Sequence, residues 1–114
     1  MIRTKRIYKE PSEDDGTRVL VDRLWPRGVS KEEANLDRWE KDLAPSSELR
    51  KWFGHDPAKW EEFLRRYRAE VEGKEELLAQ LRQEAGDGTV TLLYAAKDEE
   101  RNNAVALKRY IEEK

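Results

Sequence analysis

Seven consecutive residues, Asp22-Arg23-Leu24-Trp25-Pro26-Arg27-Gly28, set an acid, two guanidinium groups, a large ring and two loop-shaping residues side by side. Arg23 and Arg27 can hold a carboxylate or phosphate bidentately, Trp25 can stack on a planar group or an arginine, and Asp22 can act as a base or orient an arginine. The same residues also suit a buried Asp–Arg pair with a tryptophan plugging the end of a sheet, and structural networks of that kind perturb acid–base groups as sites do. A second concentration runs through Tyr94-Ala95-Ala96-Lys97-Asp98-Glu99-Glu100-Arg101-Asn102-Asn103. Free amides and the dipole make a helix N-terminus attractive to anions, but Asp98, Glu99 and Glu100 already supply negative charge there and would repel a phosphate. Lys97, Asn102 and Asn103 are better ligand contacts, since an amide side chain both donates and accepts. Asp98 is expected to cap the last helix. The candidate ligand-binding set is Asp22, Arg23, Trp25, Arg27, Lys97, Asp98, Asn102 and Asn103.

Other chemistries find less support. The absence of cysteine removes disulfides, thiol nucleophiles and iron–sulfur clusters, and the single histidine removes His-rich metal sites. The acidic stretch at Asp98–Glu100 has no oxygen-ligand spacing of a cation loop, so no metal is assigned and no cofactor is identified. His55, in Gly54-His55-Asp56-Pro57, invites an acid–base role, but its place in a joint between helices favours packing or capping. Ser46 lacks the Gly-x-Ser-x-Gly setting of a nucleophile and reads as a helix cap. Arg65, Arg66 and Arg68 resemble a nucleic-acid stripe, but Glu61, Glu62, Glu70 and Glu72 dilute it into a solvated face.

The elements that position these groups follow from patterning. Ile2–Tyr8 is a strand whose interleaved basic residues suit a sheet edge, and Glu10–Thr17 is a surface loop. Arg18–Trp25 contains the unbroken Val19-Leu20-Val21 run of a buried strand, ended by Pro26 and Gly28. Ser30 and Glu33 form a capping box for a short helix toward Leu36. Pro45, Ser46 and Ser47 open a helix that Gly54 stops. Asp56-Pro57 starts a longer one, in which Trp60, Phe63, Leu64, Tyr67 and Val71 share a face. Gly73 breaks it, a helix runs from Lys74 to Ala85, and Gly86-Asp87-Gly88 makes a turn before the apolar strand Thr89–Ala96. Ala104, Leu107 and Ile111 line the inner face of a last helix.

Strands that are apolar on both faces, each followed by a helix, require a mostly parallel sheet with helices on both faces, and 114 residues suffice for one α/β domain, 1–114. The first strand's direction stays open, because its link to the second is short enough for a hairpin. Leu, Ile, Val and Phe are only 23 of 114 residues, yet the net charge of −2 is too small for disorder, and four Trp and four Tyr add apolar bulk. That balance also argues against a bulk nucleic-acid binder. With neither an apolar run of membrane length nor a signal peptide, a soluble cytoplasmic protein without a membrane partner is expected.

Three separated stretches carry a family resemblance: Val19-Leu20-Val21-Asp22-Arg23-Leu24-Trp25-Pro26-Arg27-Gly28; Ala44-Pro45-Ser46 with Leu49 through Pro57; and Leu92 through Asp98 with Asn102-Asn103-Ala104. The chain resembles the YeaO-like branch of the domain-of-unknown-function 488 family over essentially its whole length. This resemblance implies a small cytoplasmic prokaryotic protein with a parallel α/β fold, and brings no established activity with it. Other branches carry a Cys-His-Arg triplet where this sequence has Asn102, Asn103 and Ala104, so any thiol chemistry of theirs is closed to this chain.

Ligands of parallel α/β sheets bind beyond the carboxyl ends of the strands, where both polar segments should meet. The expected function is binding of a small anionic ligand, a nucleotide or a phosphate or carboxylate metabolite, with catalysis left open. The alternatives are a nucleic-acid-binding or regulatory protein, and an interaction module that pairs through exposed tryptophan.

Overall fold

The two most apolar segments of the chain lie side by side at the centre of a four-stranded sheet, as they must if both faces of each are to escape water. A computed structural model describes residues 1–113. Its strands are β1 (Ile2–Arg6), β2 (Thr17–Leu20), β3 (Arg38–Trp39) and β4 (Val90–Tyr94), in the order β1-β4-β2-β3. All pairings are parallel, with Arg6 opposite Tyr94, Leu20 opposite Leu93 and Leu20 opposite Trp39. The basic strand β1 takes an edge. Although its link to β2 is short, no hairpin forms: residues 7–16 return the chain to the start of a parallel strand, and β4 occupies the space between. Gly16 makes that return possible, with φ 62° and its Cα so close to β4 that an added Cβ would lie 2.1 Å from the Thr89 carbonyl oxygen.

Both faces of the sheet are covered, unequally. On one side α2 (Ser47–Phe53), α3 (Trp60–Val71), α4 (Glu75–Asp87) and α5 (Asn103–Glu112) enclose the main core, which takes Val19, Val21, Val90, Leu92 and Tyr94 from the sheet. The other side has the single-turn α1 (Lys31–Ala34) and loops, closing over Ile7, Leu20 and Leu93 with Trp25 and Trp39 packed edge to face. The expected face of α3 is the buried one, with Phe63, Leu64, Tyr67 and Val71 inside and Trp60 half-buried. The hydroxyls of Tyr67 and Tyr110 donate to the carbonyls of Leu43 and Leu64, and no buried side-chain nitrogen or oxygen among the described residues lacks a partner.

Several boundaries differ from those read in the sequence. The second strand ends at Leu20, because Val21 gives its amide to Leu93 and the chain then turns out of the ladder at Asp22. The break at Gly73 falls where expected, as a 3-10 turn over Glu72–Lys74 between α3 and α4, but α4 does not stop at Ala85 and continues through Gly86 to Asp87. The two-residue β3 is too short to give a periodic signal. Asn102, and not Asp98, caps the last helix, accepting from the Val105 amide, while Asp98 caps the preceding turn through the Glu100 and Arg101 amides. No tryptophan is exposed; all four are partly covered, and the large exposed apolar residues among those described are Met1, Tyr8 and Leu24. No helix among the described residues is long and apolar enough to cross a membrane.

Candidate functional site

Parallel strands deliver their carboxyl ends to one edge of a sheet, and the segments leaving β1, β2 and β4 there surround a cavity of about 610 Å³. All eight residues singled out in the sequence line it: Asp22, Arg23, Trp25 and Arg27 from the segment after β2, and Lys97, Asp98, Asn102 and Asn103 from the segment after β4. Tyr8 adds the end of β1, and Pro45, Arg50, Phe53, His55 and Phe63 come from the α2–α3 region. The floor is aromatic, with Phe53 and Phe63 stacked at 4.4 Å.

Asp22 ties the strand ends together. One carboxylate oxygen accepts from the Ala95 amide at 2.8 Å and the other from Asn103 Nδ2 at 3.0 Å, while the same Nδ2 also donates to the Val21 carbonyl at 2.8 Å. Its main-chain carbonyl accepts from Trp39 Nε1 at 2.7 Å. Burial pushes the Asp22 carboxyl above its ordinary pKa, and the hydrogen bonds from Asn103 and Ala95, with the positive charge of Arg50, offset part of that cost.

Arg23 and Asp22 do not form the expected ion pair. The Arg23 guanidinium donates to the carbonyls of Pro45 at 3.2 Å and Ala44 at 3.4 Å, which fastens the loop to the lead-in of α2 without neutralising the charge. Arg27 and Lys97 are exposed at the rim, where the Arg27 carbonyl accepts from the Tyr8 hydroxyl at 3.0 Å. Trp25 donates its indole N–H to the Val29 carbonyl, leaving ring surface at the cavity. Asp98 is paired with Arg101, and its hydrogen bonds from the Glu100 and Arg101 amides hold its carboxyl below the ordinary range. Asn102 is buried, with its amide nitrogen on the Asp98 carbonyl and its oxygen on Val105.

Sequence reasoning missed Arg50 and placed His55 in packing, whereas both line the cavity. Arg50 lies within α2, one turn ahead of the left-handed Gly54, and His55 follows at φ 58°. Both lie in a stretch that carries the family resemblance, but nothing in it marks them as cavity residues; they arrive because α2 ends against the strand-end loops. Ser46 is the helix cap expected of it, accepting from Leu49 and donating to Glu70. Arg23, Arg27, Arg50 and Lys97 form no ion pair among the described residues. The α3 arginines are different: Arg65 and Arg66 both bond Glu62, and Arg68 bonds Glu113 and covers the Tyr110 ring.

A protein-family model described as the inactive DUF488-N3 subclade matches residues 1–114. Similar proteins include the uncharacterized protein YeaO of Escherichia coli, 40% identical over 110 residues that cover 96% of each chain. The uncharacterized protein Rv3073c of Mycobacterium tuberculosis is likewise 40% identical over 110 residues, covering 96% of this chain and 92% of its own. No solved structure matches. Full-length agreement with the family model and 40% identity to YeaO place this chain in the DUF488 family, as a YeaO-like member of the inactive DUF488-N3 subclade.

Proposed function

We propose that the cavity at the carboxyl ends of the strands binds a small anionic metabolite, through a carboxylate or phosphate group. The observation that carries this reading is the set of four cationic side chains, Arg23, Arg27, Arg50 and Lys97, that line one cavity without an ion pair among the described residues. The two acids on the same wall are otherwise engaged, Asp22 by Ala95 and Asn103 and Asp98 by Arg101. Guanidinium groups held by carbonyls keep their full charge and a fork suited to planar oxyanions. Binding without turnover is the form of the proposal: the subclade is described as inactive, and Asn102 and Asn103 are occupied in capping α5 and holding Asp22. The bacterial relatives support a prokaryotic source, and a cytoplasmic setting is part of the proposal. The nucleic-acid reading loses its main support, since the α3 arginines are paired within the protein.

A thermal-shift panel of phosphates, carboxylates and nucleotides tests the proposal. A ligand at about 100 times its dissociation constant should add ~2.7 kcal/mol of stability. Arg23→Ala should abolish the shift and Arg65→Ala should leave it intact. Equal responses of the two variants, or no shift across the panel, would refute the assignment.

A further inference from the structure

We infer that the anion bound in this cavity carries a planar aromatic body, with the ring between the apolar floor and the exposed apolar rim and the charged group on the arginines. The inference rests on the anion-binding reading and specifies the class of ligand. Three observations lead to it.

Size is the first. A cavity of about 610 Å³ falls within the range that encloses ligands of drug or cofactor size and far exceeds the needs of a small inorganic anion. The second is the chemistry of the walls. A hydrated phosphate or short carboxylate prefers polar surroundings throughout, yet Phe53, Phe63, Pro45, Ala95 and Ala96 line the same space as the arginines. The half-buried Trp25, whose indole N–H is bonded to the Val29 carbonyl, offers ring surface to another ring above that floor. The third is the rim. Of the three large apolar residues that stand exposed among the described residues, Tyr8 at 45% and Leu24 at 59% both border this cavity. The Tyr8 ring is held in place by Arg6 over its face and by its hydroxyl on the Arg27 carbonyl. An apolar surface kept in water beside unpaired cations matches a ligand with one apolar part and one anionic part.

Calorimetric titration of the full chain with inorganic phosphate, phenyl phosphate, 1-naphthyl phosphate and 1-naphthol separates the two parts. Affinity should rise along the three phosphates, with naphthyl phosphate at least about tenfold tighter than inorganic phosphate and also about tenfold tighter than naphthol. Leu24→Ser, at an exposed position that does not support the core, should narrow the ratio between naphthyl and inorganic phosphate. Arg50→Ala, on the exposed side of α2, should weaken every phosphate. If inorganic and naphthyl phosphate bind equally well, the aromatic inference fails while anion binding stands. If naphthol binds as tightly as naphthyl phosphate, or nothing binds, both fail. An unchanged ratio in Leu24→Ser would also overturn the placement of the ring.

Discussion

Asp22 joins three parts of the cavity wall, because its carboxylate links the end of β2 to the Ala95 amide and the first residue of α5. Its folded pKa is raised, chiefly by burial, and the sign of the consequence follows by linkage. Below 3.8 both folded and unfolded chains carry the proton and the shift has no effect; as pH rises from 3.8 through the higher folded value, the unfolded chain ionises first and stability falls. Asp22→Asn removes that fall. Urea midpoints measured across this window should show the stability difference, variant minus wild type, growing more positive with rising pH. A difference independent of pH would show that burial does not burden this carboxylate. Arg23 leans on the carbonyls of Pro45 and Ala44, so its variant tests recognition.

At the scale of elements, the cavity depends on two placements: α2 and α3 against the main core, and β2 in register with β4. Phe63 is 1% exposed and stacks on Phe53, which forms the floor with it. Phe63→Ala should cost about 3–5 kcal/mol, more than Trp60→Ala, whose ring is only half-buried, and Arg65→Ala should stay within about 0.5 kcal/mol. Chemical denaturation checks the ranking, and comparable midpoints for Phe63→Ala and Arg65→Ala would mean that the α3 face is misassigned. β2 is preceded by a glycine that no other residue can replace without moving Thr89, which leads into β4. Gly16→Ala introduces a Cβ 2.1 Å from the Thr89 oxygen at a backbone φ of 62°, and it should lower the thermal midpoint well beyond the effect of Gly73→Ala, where nothing lies within 4 Å. A Gly16→Ala variant as stable as Gly73→Ala would contradict the observed closeness of β2 and β4.

The whole molecule is held together on its thinner face by a polar hub beside the small apolar cluster that α1 and the loops close. Asp15 is 1% exposed and accepts from Arg18 at 2.5 Å, from Lys5 at 3.0 Å and from the Ser12 amide at 3.0 Å. Thr91 donates to its main-chain carbonyl, and Arg18 reaches on to the carbonyls of Ala34 and Asn35. The hub thereby links β1, β2, β4 and α1 beneath the sheet. Burial opposes the Asp15 charge, but its hydrogen bonds and the two cations prevail and hold its pKa below 3.8. A depressed folded pKa gives stability that is present above the unfolded value and is lost as pH falls through the folded one. Asp15→Ala should therefore cost about 3–5 kcal/mol near neutrality, as breaking a buried pair does. The deficit should shrink as pH drops below 3.8, and a deficit that persists there would assign it to packing alone. The unfolding midpoint of each protein, followed from neutral to acid pH, supplies the comparison.

Local chemistry in the chain was enough to determine the helix starts at Ser30 and Ser46, the stop at Gly54, the buried face of α3 and the two central strands, because each depends on neighbours within a turn or on an unbroken apolar run. It also determined that the polar segments after β2 and β4 meet, since parallel strands can only release their chains at the same edge. Tertiary structure alone decided the rest. The order β1-β4-β2-β3 reflects which strands need neighbours on both sides, and β1 runs parallel to β4 although its link to β2 is short enough for a hairpin. The cap of α5 passed from Asp98 to Asn102 because the intervening residues first form a turn of their own. Arg50 and His55 entered the cavity only through the docking of α2, and Asp15 with Arg18 met Lys5 only across strands. Such contacts join residues distant in sequence or direct a side chain across an interface, and local periodicity contains no term for either.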